Sequence, residues 1–65
     1  MKFDSLLRTE QIIGSKWVYY YLTLDGKYFK LTTKTALQMF EAFDLVEGRT
    51  TKEPNGLTTT IYYQR

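Results

Sequence analysis

Between Lys16 and Thr32 the chain is a run of β-branched and aromatic residues interrupted by Asp25-Gly26. Such runs favour strands, and Asp-Gly supplies the two positive-φ residues of a type I′ hairpin turn. The pattern predicts a first hairpin over residues 16–32, with Lys16–Leu24 and Lys27–Thr32 as antiparallel arms. From Lys34 the rhythm changes: Ala36, Met39, Phe40 and Phe43 recur at helical spacing and share one face. With Thr33 as N-cap, a helix is expected over residues 34–44, ending at Phe43 or Asp44. The strand rhythm then returns in Leu45–Lys52 and Leu57–Tyr63. Between them, Glu53-Pro54-Asn55-Gly56 puts Pro where a type I turn wants it and Gly where a left-handed residue closes the loop. This predicts a second hairpin over residues 45–63. Residues 1–14 stay open, because Phe3, Leu6 and Leu7 fit a short helix whereas Thr9–Ile13 fit a strand. The expected fold class is α+β: a single small domain over 1–65, in ββαββ order, with one helix packed on an antiparallel sheet.

A two-residue turn at Asp25-Gly26 fixes which side chains share a face. Val18, Tyr20, Leu22, Leu24, Phe29 and Leu31 form one face, matched to the helix face of Ala36, Met39, Phe40 and Phe43, and this is the predicted core. Trp17, Tyr19, Tyr21, Thr23, Tyr28, Lys30 and Thr32 form the other. Four aromatics beside lysine on an outward face have three explanations. The N-terminal segment, with Phe3, Leu6, Leu7, Ile12 and Ile13, folds back as a second core layer. Alternatively, Trp17, Tyr19, Tyr21 and Tyr28 form a protein interface, since Trp and Tyr dominate interface hot spots, or they stack nucleic-acid bases while Lys16, Lys27 and Lys30 hold phosphates.

Composition narrows the chemistry. With 65 residues there is room for one small core. The absence of Cys and His removes disulfides, thiolate and imidazole metal sites, cysteine nucleophiles and histidine-based triads. The acids Glu41, Asp44 and Glu47 would lie on an outer helix face if the helix ran on through Glu47, where carboxylates are solvated. No Gly-rich phosphate loop or calcium loop is present. The expectation is a protein without enzymatic activity and without cofactor or metal. No apolar stretch approaches a membrane span, and Asp4, Arg8 and Glu10 interrupt any signal-like core, so the expected location is cytoplasmic, without membrane association. A core this small, without staples, also raises the expectation of a homo-oligomer, acting as a homodimer.

The formal net charge is only +2, from nine basic and seven acidic residues, but it is unevenly distributed. Lys16, Lys27, Lys30 and Lys34 face a single acid, Asp25, in residues 16–35, whereas residues 36–48 carry three acids and no base. Arg49, Lys52 and Arg65 restore a basic balance at the end. The cations expected to hold nucleic acid are Lys27, Lys30, Lys34, Arg49 and Lys52.

Residues 32–63 add a second line. Thr33-Lys34-Thr35-Ala36, Phe40, Phe43, Leu45-Val46-Glu47 and a hairpin tipped by Pro54-Asn55-Gly56 and ending Ile61-Tyr62-Tyr63 resemble the last helix and wing of winged helix-turn-helix proteins. The resemblance implies Lys34, Thr35 and Gln38 toward bases, with Arg49, Lys52 and Thr58-Thr59-Thr60 near phosphates. It covers about half the chain and departs from that family upstream, where a hairpin stands in place of two packed helices. Together these features point to a small nucleic-acid-binding protein, DNA favoured, using basic strands and an aromatic sheet face. The alternative is a protein-interaction module, an inhibitor or assembly factor, that binds a partner protein through the same face.

Overall fold

A computed structural model describes residues 2–65. The elements run β1 (Ser5–Gln11), β2 (Trp17–Leu24), β3 (Lys27–Leu31), α1 (Thr33–Ala42), β4 (Leu45–Lys52) and β5 (Leu57–Gln64). The five strands form one antiparallel sheet in the order β3-β2-β1-β5-β4. The protein is α+β, with one helix on that sheet. The ββαββ run is present from β2 to β5, and a further strand precedes it.

Both hairpin turns follow the local chemistry. Asp25 and Gly26 sit at φ 51° and 75°, and Leu24 pairs with Lys27, Leu22 with Phe29 and Tyr20 with Leu31, the register that a type I′ turn dictates. At the second turn, Gly56 donates its N–H to the Glu53 carbonyl over 3.0 Å, and Glu53 donates to Leu57 over 2.8 Å. Gly56 takes φ 92°, and the Asn55 side chain accepts the Leu57 N–H at 3.1 Å. The helix begins one residue earlier than its sequence pattern suggests. Thr32, not Thr33, is the N-cap, with Oγ1 accepting the Thr35 N–H at 3.1 Å. It also ends sooner, at Ala42, because Phe43 turns extended while its N–H still reaches the Met39 carbonyl.

The N-terminal segment departs most from expectation. Residues 5–11 are neither a helix nor a cover over the aromatic face; they are the central strand, bonded to β2 on one side and β5 on the other. Leu6 lies opposite Leu22 and Tyr62, and Phe3 and Leu6 join Tyr20, Leu22, Ala36 and Met39 in the core. Phe40 and Phe43 pack on that core, as their spacing requires. Phe40 meets Tyr20 and Tyr62 edge-to-face at 6.3 and 4.9 Å, and Phe43 meets Phe3 at 5.3 Å.

Three predicted core positions, Val18, Leu24 and Phe29, lie on the correct face but outside the core. Val18 and Phe29 are 36% and 46% exposed. A ten-residue helix is only about 15 Å long, whereas an eight-residue strand such as β2 spans roughly 26 Å. The helix covers the end of the sheet holding Leu6, Leu22, Leu45 and Tyr62, while Val18 lies beyond its reach and Phe29 stands on the edge strand. Glu47 belongs to β4, opposite Tyr62, so it does not extend the acidic row of the helix. The β4–β5 hairpin is built into the sheet against β1 and is not a free wing.

Candidate functional site: the open sheet face

The register defines the face turned away from the helix. It carries Leu7, Thr9 and Gln11 from β1, Trp17, Tyr19, Tyr21 and Thr23 from β2, and Tyr28 and Lys30 from β3. From the other half come Leu57, Thr59, Ile61 and Tyr63 of β5 with Val46 and Thr51 of β4. No element of the described residues covers it. Tyr28 is 71% exposed, and Trp17, Tyr19, Tyr63 and Val46 also stand well out into solvent.

The rings are organised among themselves. Trp17 and Tyr19, two apart on β2, lie 4.9 Å between centroids at a 42° tilt. The Lys30 Nζ from β3 rests over the Tyr19 ring at 4.2 Å, in cation–π range. At the far edge, β4 carries an irregularity between Glu47 and Thr50, and Tyr63 lies where a Cβ on Gly48 would stand. Hydroxyl pairs add polar ties: Thr9 with Thr59 at 3.3 Å, and Ser5 with Thr23 beneath the surface.

Charge is segregated between the faces. Among the described residues whose face the strand pairing fixes, Lys30 is the one charged residue on the open face and no carboxylate projects from it; Arg49 sits in the β4 irregularity, outside that register. Glu10 and Glu47 lie on the helix side, Asp25 and Glu53 in turns, and Glu41 on the helix. Asp44 pairs with Arg65 at 2.9 Å in solvent. On the helix side Arg8 holds Glu10 at 2.9 Å and donates to the Tyr20 hydroxyl over 3.4 Å; these two bonds raise the Arg8 guanidinium above its ordinary pKa. Burial raises the Tyr62 hydroxyl likewise, with Glu47 adding to it.

The residues expected to form a site are thus only partly brought together. Trp17, Tyr19, Tyr21, Tyr28 and Lys30 share one surface. Lys27 pairs with Leu24 on the helix-side register, Lys34 stands in the first helical turn, Arg49 sits in the β4 irregularity, and Lys52 lies opposite Thr58 on the helix-side register. Because β3 and β4 are opposite edges of a five-stranded sheet, Lys27 and Lys52 are separated by about 19 Å of strand spacing alone. The five cations form no common patch. Leu7, Ile61, Tyr63 and Val46 escaped the sequence reading of this face, although the alternation of β1 and β5 would have placed them once those strands were paired.

Among the described residues no helix is long and apolar enough to cross a membrane, and no group of three acidic, His or Cys side chains is placed to hold a metal ion. The chain matches no family model, and no curated protein or solved structure matches it significantly.

Proposed function

We propose that this protein binds single-stranded nucleic acid, DNA in the first instance, on its open sheet face. The observation that carries the reading is a broad aromatic surface free of carboxylates, with a lysine resting on one of its rings. Flat exposed rings suit unstacked bases, which offer their π-faces irrespective of sequence, and each base–ring stack contributes roughly 1–3 kcal/mol. A duplex hides those faces, so single strands are the preferred ligand. Tyr21 and Tyr28 would receive bases directly, Trp17 and Tyr19 as a packed pair, and Lys30 would exchange the Tyr19 ring for a phosphate. The role is one of binding without catalysis.

A fluorescence titration with short oligonucleotides over a salt series tests this. Binding to single strands should be measurable at ~50 mM salt, and Lys30→Ala should reduce the log–log salt slope by about 0.7. Tyr28→Ala should weaken binding while leaving the slope alone. Absence of binding to any single strand at that salt refutes the proposal.

One observation favours a second reading. The face is poor in charge, and charge-poor, aromatic-rich surfaces are typical of protein interface cores. A protein partner or a second copy of this chain then occupies it. A doubled sedimentation mass that Trp17→Ala returns to monomer, without nucleic-acid binding, would select that reading.

A further inference from the structure

We propose that the free edge of β3 pairs with the same edge of a second copy of this chain, joining two five-stranded sheets into one continuous sheet. The strand order leaves two edges, β3 and β4. β4 is interrupted between Glu47 and Thr50 and carries Glu47, Arg49 and Lys52, the features by which natural edges resist further pairing. β3 keeps an unbroken register with β2. Its mid-strand cation, Lys30, lays its Nζ over the Tyr19 ring of β2 at 4.2 Å, away from the edge it would otherwise guard.

The turn fixes which backbone groups that edge presents. Across a two-residue type I′ turn, Leu24 and Lys27 exchange both of their hydrogen bonds, and along an antiparallel ladder such pairs alternate with unbonded ones. Phe29 and Leu31 therefore bond inward to Leu22 and Tyr20, their register partners, while the N–H and C=O groups of Tyr28 and Lys30 point outward. Among the described residues no other segment bonds to them.

Two-fold symmetry leaves few registers in which outward residues meet outward residues. Centred on Lys30, it sets two ammonium groups directly opposite each other, which is destabilising. Centred on Tyr28, it leaves Lys30 opposite the partner's Gly26, in the turn. Centred on Phe29, it sets Tyr28 opposite the partner's Lys30 and Lys30 opposite the partner's Tyr28, so that each pair exchanges both of its hydrogen bonds. Phe29, 46% exposed on the helix side, then faces the partner's Phe29 in an unbonded pair, where side chains lie closest, and the two rings cover each other. The axis runs perpendicular to the sheet, so both helices lie on one side and both open faces on the other. The pairing leaves the aromatic face free and is independent of whether that face takes nucleic acid.

A contact through one short edge strand is small and belongs to the reversible class, so the test is sedimentation across a concentration series up to about 1 mM. The wild-type mass should double toward the top of that series, and Trp17→Ala should leave this unchanged, because Trp17 lies on β2 and off the edge. Phe29→Lys should weaken association at least about tenfold by setting like charges across the axis, and Phe29→Glu should do the same. Mixing these two variants should restore the doubled mass, since opposite charges then meet across the axis. Circular dichroism checks that each variant folds. Should Phe29→Lys fail to fold, Tyr28→Pro, which removes an outward N–H and spares the ladder with β2, should abolish the dimer instead. A monomer throughout the series overturns the proposal, as does a dimer that survives these edge variants or dissolves in Trp17→Ala. Failure of the mixture to recover the doubled mass overturns the register centred on Phe29.

Discussion

Leu6 and Leu7 are adjacent in sequence and lie on opposite faces of the central strand, which makes them a direct probe of the register. Leu6 is fully buried between Leu22 and Tyr62. Leu6→Ala loses the transfer energy of its buried methyl groups and leaves a cavity against neighbours that relax only in part, together about 3–4 kcal/mol. At roughly 0.05–0.15 kcal/mol per residue a domain of this length has only about 3–10 kcal/mol in total, so this variant should sit near the edge of folding. Leu7 projects onto the open face, half-buried by its strand neighbours. Leu7→Ala should cost about 1 kcal/mol, the usual value outside a core. Urea denaturation followed by circular dichroism reads both, and the thermal midpoint of Leu6→Ala should fall by about 12–32 °C, at 4–8 °C per kcal/mol. Equal losses, or a larger loss at Leu7, would refute the face assignment, because a one-residue slip moves every side chain of β1 to the other side.

Gly26→Val should lower stability by about 1–3 kcal/mol through backbone strain, since Gly26 has φ 75° and open space where a Cβ would stand; an unchanged melting temperature would remove the type I′ turn. Phe40→Ala should cost about 3 kcal/mol, the low end of the range for a truncated core ring, because Phe40 is only partly exposed and loses two edge-to-face partners. The Tyr62 hydroxyl titrates above its ordinary value of 10.0 in the folded protein, so the folded state binds that proton more tightly than the unfolded state. Its contribution to stability is complete below about pH 10 and is lost as pH rises from there through the folded pKa. Denaturation midpoints across that window should fall with pH, and less steeply in Tyr62→Phe.

What was legible in the sequence was what local chemistry decides. Asp25-Gly26 and Pro54-Asn55-Gly56 fix two turns, and the Ala36, Met39, Phe40, Phe43 spacing fixes one helix face. The central strand was illegible because its pattern is mixed on both sides. Leu6 is core, but Arg8 and Glu10 follow it on the same face, beyond the helix, where they pair with each other and with Tyr20. On the other face Leu7 is followed by Thr9 and Gln11. No alternation survives in the sequence, because the pairing of β1 on both edges, and not amphipathicity, makes it a strand. The exposure of Val18 and Phe29 has a similar origin: their face is set by the turn, whereas their burial depends on how far a ten-residue helix reaches. The aromatic face was legible on β2 and β3, whereas the sheet order that spreads the cations was not. Charge alone grouped Lys27 and Lys52, which the sheet order sends to opposite edges, and Lys30 is the cation that rests on a ring.

The contact of Lys30 with Tyr19 bears on how the face would work. Lys30 on Tyr19 and Trp17 against Tyr19 let a single-layer sheet shield part of its exposed rings with its own side chains. An exposed cation–π pair contributes about 0.5–1 kcal/mol, less than the roughly 1–3 kcal/mol of a base stacked on an aromatic ring. Replacing Lys30 by a base on Tyr19 is therefore favourable, and more so when the released ammonium meets a phosphate, since that contact also frees a condensed counterion. A protein partner supplies no such exchange unless it brings a carboxylate to Lys30. Lys30→Ala thus separates the two ligand classes. With nucleic acid it changes the salt dependence of binding while stacking persists, and with an apolar partner surface it leaves the salt dependence where it was.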